Sequence, residues 1–256
     1  MSGISGISST NSIYGQMASG RAVSKASDGA AELSIIQQEN TQITGLDTGA
    51  NNMSSGKDLI NVADSALGNI TDSLQRMREL ALSASNSALM TDSDKQSIQD
   101  EIDQLKQGIS DIANQTTYNT KNILNGENPS LSIATDSNGN STSISTANAT
   151  LEALGIADFD VTGDFDIKTI DDALEKVSAS RSSMGAQSNA LDYAIRYNTG
   201  ASLNLTSAKS KLEDLDYPQA VSEQKKQETL QTYSLMMQKK KMEDEQKRAE
   251  AFFTFS

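Results

Sequence analysis

The chain has 256 residues, 34 acidic against 21 basic side chains for a formal net charge of −13, 4% aromatic residues, and no histidine, cysteine or tryptophan. Without imidazole or thiolate, zinc, copper, haem and iron–sulfur centres lose their usual ligands, and Ser-His-Asp, Cys-His and HExxH arrangements cannot be built. The negative balance argues against a nucleic-acid surface, which depends on clustered Lys and Arg, and a glycosidase-like carboxylate pair remains formally open.

No cofactor and no metal is therefore expected. Five Phe and six Tyr leave Ala, Leu, Ile and Met to supply nearly all burial, a palette that suits thin helical layers. Two prolines, Pro129 and Pro218, are all that interrupt the chain, so long helices are sterically permitted on either side of each. No apolar run approaches the roughly 20 residues that span a bilayer. The start, MSGISGISSTNSIYG, has neither the basic nor the apolar region of a cleavable secretory peptide.

Residues 1–27 are rich in Ser, Gly and Ala and need a partner segment to become ordered. From Asp28 to Leu89 the pattern is helical. One seam reads Leu46, Met53, Ile60, Leu67, Leu74 and Ala81, and a second, offset by three, reads Gly49, Gly56, Ala63, Ile70, Met77 and Ala84. Heptads sustained over this span predict a coiled-coil-like helix, roughly 66 Å long for residues 46–89 at about 1.5 Å per residue.

Thr91 and Asp92 read as caps of a second helix, with Asp94 in its first turn. Its seam is Ile98, Ile102, Leu105, Ile109 and Ile112, ending near Asn114, and the short connection predicts an antiparallel neighbour. Helical periodicity lapses over 125–166, where Leu131–Ala134 and Thr142–Ile144 flank Asn138-Gly139, a hairpin signal. Between Glu127 and Asp172 nine carboxylates accompany one lysine, which predicts an exposed acidic surface. Asp158, Asp160, Asp164 and Asp166 lack the spacing of an EF-hand calcium loop.

Order returns at Ile170, with Val177, Met184, Leu191, Asn198, Leu205 and Leu212 at sevens and Leu174 and Ile195 widening the stripe. That helix is expected to close before Tyr217-Pro218. Residues 219–251 form a further helix-competent stretch, in which Lys239 with Glu243 and Lys241 with Glu245 have the spacing of i,i+4 ion pairs. Both ends of the chain are the parts least able to fold alone, the behaviour of an assembly subunit.

Several of these blocks carry a family resemblance. Ala63-Asp64-Ser65-Ala66-Leu67, LQRMRELALSASN from Leu74, SIQDEIDQL from Ser97 and NQTTYNTKNIL from Asn114 resemble the amino-terminal rod of bacterial flagellin. IDDALEKVSASRSSMGAQSNALDYAI from Ile170 and NLTSAKSKLEDLDYPQAVSEQKKQETLQ from Asn204 resemble its returning helix, so that the likeness covers most of residues 18–235.

The resemblance implies a mainly α fold: an elongated antiparallel helical rod with a small β-hairpin insert and helical termini that pair in an inner tube. Its parts would be an N-terminal inner-tube segment (1–28), N-terminal rod helices (29–124), an outward insert (125–168), a C-terminal rod helix (169–217) and a C-terminal inner-tube helix (218–256). It implies a non-enzymatic subunit of the extracellular filament, exported through the flagellar channel. The partners implied are further copies of the chain, an export chaperone, the filament cap and the hook-junction proteins.

It also implies a subunit-contact surface, read by the animal Toll-like receptor for flagellin, at Gln75, Arg76, Glu79 and Leu80 with Glu101 on the neighbouring helix. Without the resemblance, Gln75, Arg76 and Glu79 are an ordinary solvated helix face. A hook–filament junction protein is the nearest rival, although such proteins carry a larger centre. The charged tail from Lys239 departs from the family's small and aliphatic ending. Oppositely charged blocks are expected to pair between subunits there, with Phe252, Phe253 and Phe255 anchoring the end.

Overall fold

The computed structural model describes residues 12–86 and 90–254, with side chains up to Arg248; the three C-terminal phenylalanines lie outside the described side chains. Its elements are α1 (12–19), α2 (Ala30–Ala84), α3 (Asp92–Gln115), β1 (Thr117–Tyr118), β2 (Lys121–Asn122), β3 (Ser130–Ala134), β4 (Ser141–Ser145), α4 (Leu151–Leu154), α5 (Lys168–Glu213) and α6 (Tyr217–Thr254). The chain is mainly α, as expected, and divides into two compact units, one of Gln42–Leu203 and one of Met1–Thr41 with Asn204–Ser256. These bounds fall inside α2 and α5, away from the breaks at residues 28 and 217 that composition indicates.

In the larger unit, the heptad seams of α2 face inward. Met53, Ile60, Leu67, Ile70, Leu74 and Met77 are buried, and Leu46 is half-buried. From α3, Ile102 and Ile109 are buried, with Ile98, Leu105 and Ile112 packed against them. From α5, Ile170, Val177, Met184 and Leu191 are buried, with Leu174 and Ile195 alongside. Helix α5 runs antiparallel to α2 here, since ion pairs join Lys57 to Asp192, Asp64 to Arg181 (2.7 Å) and Arg78 to Asp171 (2.6 Å).

The segment 125–168 does not form a layer of its own. Its carboxylates are mostly exposed, but Ile144, Ala147, Ala149, Leu154, Ile156, Phe159 and Val161 are buried in the same cluster as the helices. Burial of that many apolar groups stabilises packing on the helices over projection into water. Strands β3 and β4 pair antiparallel, Ser130 with Ser145 through Ala134 with Ser141, and the turn holds Gly139 at φ 83°. Asp136 shapes that turn by accepting the Asn138 (2.8 Å) and Asn140 (3.1 Å) amides.

The hairpin sits on a strip of α2 where side chains are missing. A Cβ on Gly45 would come within 2.1 Å of Ser137, and one on Gly49 within 1.8 Å of the Thr135 carbonyl. Asn198, buried on α5, donates to that same Thr135 carbonyl (2.8 Å) and to the Leu46 carbonyl (3.3 Å), so its amide fixes hairpin and helices in one register. A second hairpin, β1–β2, turns through Asn119 and Thr120, both at positive φ.

In the smaller unit, α5 ends at Glu213 and α6 begins with Pro218 in its first turn, where a missing N–H costs nothing. The Asp216 carboxylate accepts the Gln219 amide (3.2 Å) and caps the new helix. Leu205 is half-buried, but Leu212 is 37% exposed and stands outside the core assigned to it. The seam continues there in sequence only: among the described residues the buried apolar groups of this unit are Ile36 and Ala220. The ion pairs expected of Lys239 with Glu243 and Lys241 with Glu245 are likewise not formed.

Candidate functional site

The residues marked out on α2 and α3 come together as one surface. Arg76 reaches Glu101 through Nε (2.9 Å) and Nη2 (2.8 Å) and Glu79 through Nη1 (3.2 Å). Glu101 first and Glu79 second hold the guanidinium pKa above its ordinary value. Gln75, Arg76 and Glu79 are exposed, and Glu101 is half-buried. Leu80 corrects the expectation: at 7% exposure it belongs to the core, because it lies three residues from Met77 and four from Ala84 on the inward side of α2.

The patch has its apolar underside packed, and its charged groups cross from one helix to the next. It offers hydrogen-bond donors and carboxylates side by side on two neighbouring helices. Among the described residues no group of three or more acidic side chains could hold a metal ion.

The smaller unit joins the two ends of the chain. The Ala22 amide donates to the Glu213 carbonyl (2.7 Å) and the Leu215 amide to the Gly20 carbonyl (3.0 Å), an antiparallel bridge around Arg21 and Asp214. The Glu213 carboxylate, nearly buried, pairs with Arg21 (2.9 Å) and Lys209 (3.4 Å). From α1, the Tyr14 hydroxyl donates to Glu228 (3.0 Å) and accepts from Gln224 (2.8 Å), while Tyr217 donates to the Met17 carbonyl. No composition pattern marked Tyr14, Arg21 or Glu213, because their partners lie roughly two hundred residues away in sequence.

Beyond these contacts α6 carries an unusual load of uncovered apolar groups. Leu230, Tyr233, Leu235, Met236 and Met242 are each more than half exposed, and Met237 is 43% exposed. They are spread around the helix, and so many uncovered apolar groups on one element are what association with other chains would bury.

Comparison with known proteins places these features in a family. Residues 6–129 match the bacterial flagellin N-terminal helical region, and residues 167–247 the bacterial flagellin C-terminal helical region. The flagellin of Halalkalibacterium halodurans is 33% identical over 215 residues, covering 81% of this chain and 79% of that protein. The crystal structure of Bacillus cereus flagellin superposes with a TM-score of 0.51 at 26% identity, over 58% of this chain and 88% of that one. A putative flagellar hook-associated protein from Vibrio parahaemolyticus shares the fold alone, with a TM-score of 0.58 at 16% identity over 73% of this chain and all of that one. The chain belongs to the bacterial flagellin family.

Proposed function

We infer that the chain is a structural subunit that polymerises into the extracellular bacterial flagellar filament used for motility. The observation that carries this reading is the smaller unit, where both chain ends pair with each other and α6 still leaves its apolar side chains uncovered. A monomer gains nothing from that exposure, whereas copies packed side by side bury it. The expected outcome is filaments in electron micrographs of the purified, concentrated protein, seeded with filament fragments. A chain that stays monomeric under those conditions overturns the reading.

Finer assignments follow from the same inference. Residues 1–28 and 218–256 are the inner-tube segments, 29–124 and 169–217 the rod helices, and 125–168 the outward-facing part. Gln75, Arg76, Glu79 and Glu101 form a subunit contact and the surface offered to the animal Toll-like receptor for flagellin, with Leu80 supporting it from beneath. The exported chain travels through the flagellar channel, which suits a polypeptide without disulfides, and meets an export chaperone, the filament cap and hook-junction proteins. The loosely packed ends become ordered on joining the filament, where burial between subunits offsets the lost chain entropy.

A further inference from the structure

The chain has no cysteine, so its reversible sulfur chemistry rests on methionine alone. Its nine methionines are sorted by position. Met53, Met77 and Met184 lie in the core at 0–2% exposure, and Met17 and Met90 are half-buried. On α6 the opposite holds: Met236 and Met242 are each 62% exposed, and Met237 is 43% exposed. At about 100° per residue, these three are spaced by about 100–140° round the helix. Met237 shares a face with Leu230 and Tyr233, Met242 shares another with Leu235, and Met236 stands on a third. Whichever side of α6 another chain covers therefore contains a methionine.

We propose that Met236, Met237 and Met242 form a reversible oxidation site that governs assembly: with thioether sulfurs the chain joins a filament, and with sulfoxides it stays out. The proposal rests on the filament reading, in which other copies cover α6. An oxidant of the hydrogen peroxide class transfers one oxygen atom to the sulfur and leaves as water, so the sulfide is oxidised, the peroxide is reduced and the side chain gains no charge. A flexible apolar side chain becomes a polar one. In the free chain water solvates the new oxygen, whereas a neighbour that covers it without offering a donor imposes a desolvation penalty. Oxidation therefore weakens assembly while the larger unit, whose core methionines are buried, keeps its fold. Assembly in turn closes the site, because a covering neighbour keeps peroxide from the sulfurs. Methionine sulfoxide reductases, one for each epimer, reverse the step: a thiol reductant is oxidised to a disulfide and the oxygen leaves as water.

The experiment uses the full chain, as the parent and as M236L/M237L/M242L, whose leucines keep the apolar surface and take up no oxygen. Met1, Met17 and Met90 are common to both, so the comparison isolates α6. Each chain is treated as monomer with hydrogen peroxide, oxidised sites are mapped by peptide mass spectrometry, and circular dichroism checks helical content. Met236 and Met242 oxidise ahead of Met237, and the three core methionines stay reduced. The oxidised parent then needs an about tenfold higher concentration or more to extend filament seeds, as expected for polar groups buried without partners. The two reductases together return it to the untreated level, and the leucine variant polymerises alike before and after peroxide. In finished filaments the α6 methionines oxidise at least about tenfold more slowly than in the monomer, since susceptibility follows exposure. If the parent, oxidised at all three positions, polymerises as readily as before, the proposal is overturned. If the leucine variant loses assembly after peroxide as the parent does, or filaments oxidise on α6 as fast as monomers, it is overturned too. Should the leucines themselves impair assembly, the reductases decide on the parent: rescue supports the site and its failure overturns it. If the untreated parent forms no filaments, the filament reading falls, and the site with it.

Discussion

At the scale of single residues, the most constrained positions are those where a side chain is absent. Gly49 lies inside α2, where glycine costs about 1 kcal/mol relative to alanine, so propensity alone favours replacing it. The Thr135 carbonyl decides otherwise, since an added Cβ would stand 1.8 Å from it and backbone must move. That carbonyl also accepts the Asn198 amide, so displacing it disturbs α2, α5 and the hairpin together. Gly68, in the same helix, meets nothing within 4 Å. Gly49→Ala is therefore expected to destabilise by about 1–3 kcal/mol through overpacking, while Gly68→Ala is neutral or stabilises by up to about 1 kcal/mol. Urea titration of the two variants checks the opposite signs, and equal stabilisation by both would show that the hairpin is not seated on α2.

At the scale of elements, α3 depends on its first turn. The Thr91 hydroxyl accepts the Asp94 amide (3.2 Å) and Asp94 accepts the Thr91 amide (2.9 Å), a reciprocal capping box. The Thr91 backbone amide first, and its hydroxyl second, lower the Asp94 pKa below its ordinary value. A carboxylate depressed on folding stabilises above its unfolded pKa, and that stabilisation is lost as pH falls through the folded value. Asp28, Asp136 and Asp160 are shifted the same way, so stability should fall once pH drops below about 4. Asp94→Asn is expected to lower Tm at neutral pH and to show a smaller further drop at about pH 3 than the parent, since its share has already been lost. Thermal melts across that range check it; parallel curves would remove Asp94 from the acid response. Much at this scale was legible in the residues: Met53, Ile60, Leu67 and Leu74 are buried because helix packing repeats every seven, and Asn138-Gly139 marks the β3–β4 turn because glycine tolerates positive φ. Hairpin β1–β2 was not legible, since Asn119-Thr120 places a β-branched residue at φ 64°, where Thr is uncommon. The buried Gln99, which donates to the Phe159 carbonyl and accepts the Val161 amide, was hidden for another reason: its partners lie 60 and 62 residues away. Of the candidate surface, all five residues were marked by resemblance to a known family, and the burial of Leu80 was not legible because neither heptad seam contains it.

At the scale of the whole molecule, the apolar core and the uncovered apolar side chains of α6 fall in different units. Every residue of the main apolar cluster, from Met53 to Leu191, lies within Gln42–Leu203. The other unit is held largely by hydrogen bonds and ion pairs, among them Arg21 and Lys209 on Glu213 and Tyr14 on Glu228. A few such contacts, with Ile36 and Ala220 as the buried apolar groups among the described residues of this unit, fall short of offsetting the chain entropy of ordering two termini. Residues 42–203 expressed alone are therefore expected to unfold cooperatively, with Tm within about 5 °C of the full chain, the shift that one or two kcal/mol produces at this size. The same fragment should form no filaments, since the uncovered apolar groups of α6 and the paired chain ends have been removed with the other unit. Calorimetry and electron microscopy on the fragment test both halves. An unfolded fragment would mean that the core needs the termini after all. A fragment that polymerised would show that the subunit contact on α2 and α3 suffices for assembly without the termini. The expected result, folded and monomeric, leaves the termini as the part of the chain whose order depends on other copies.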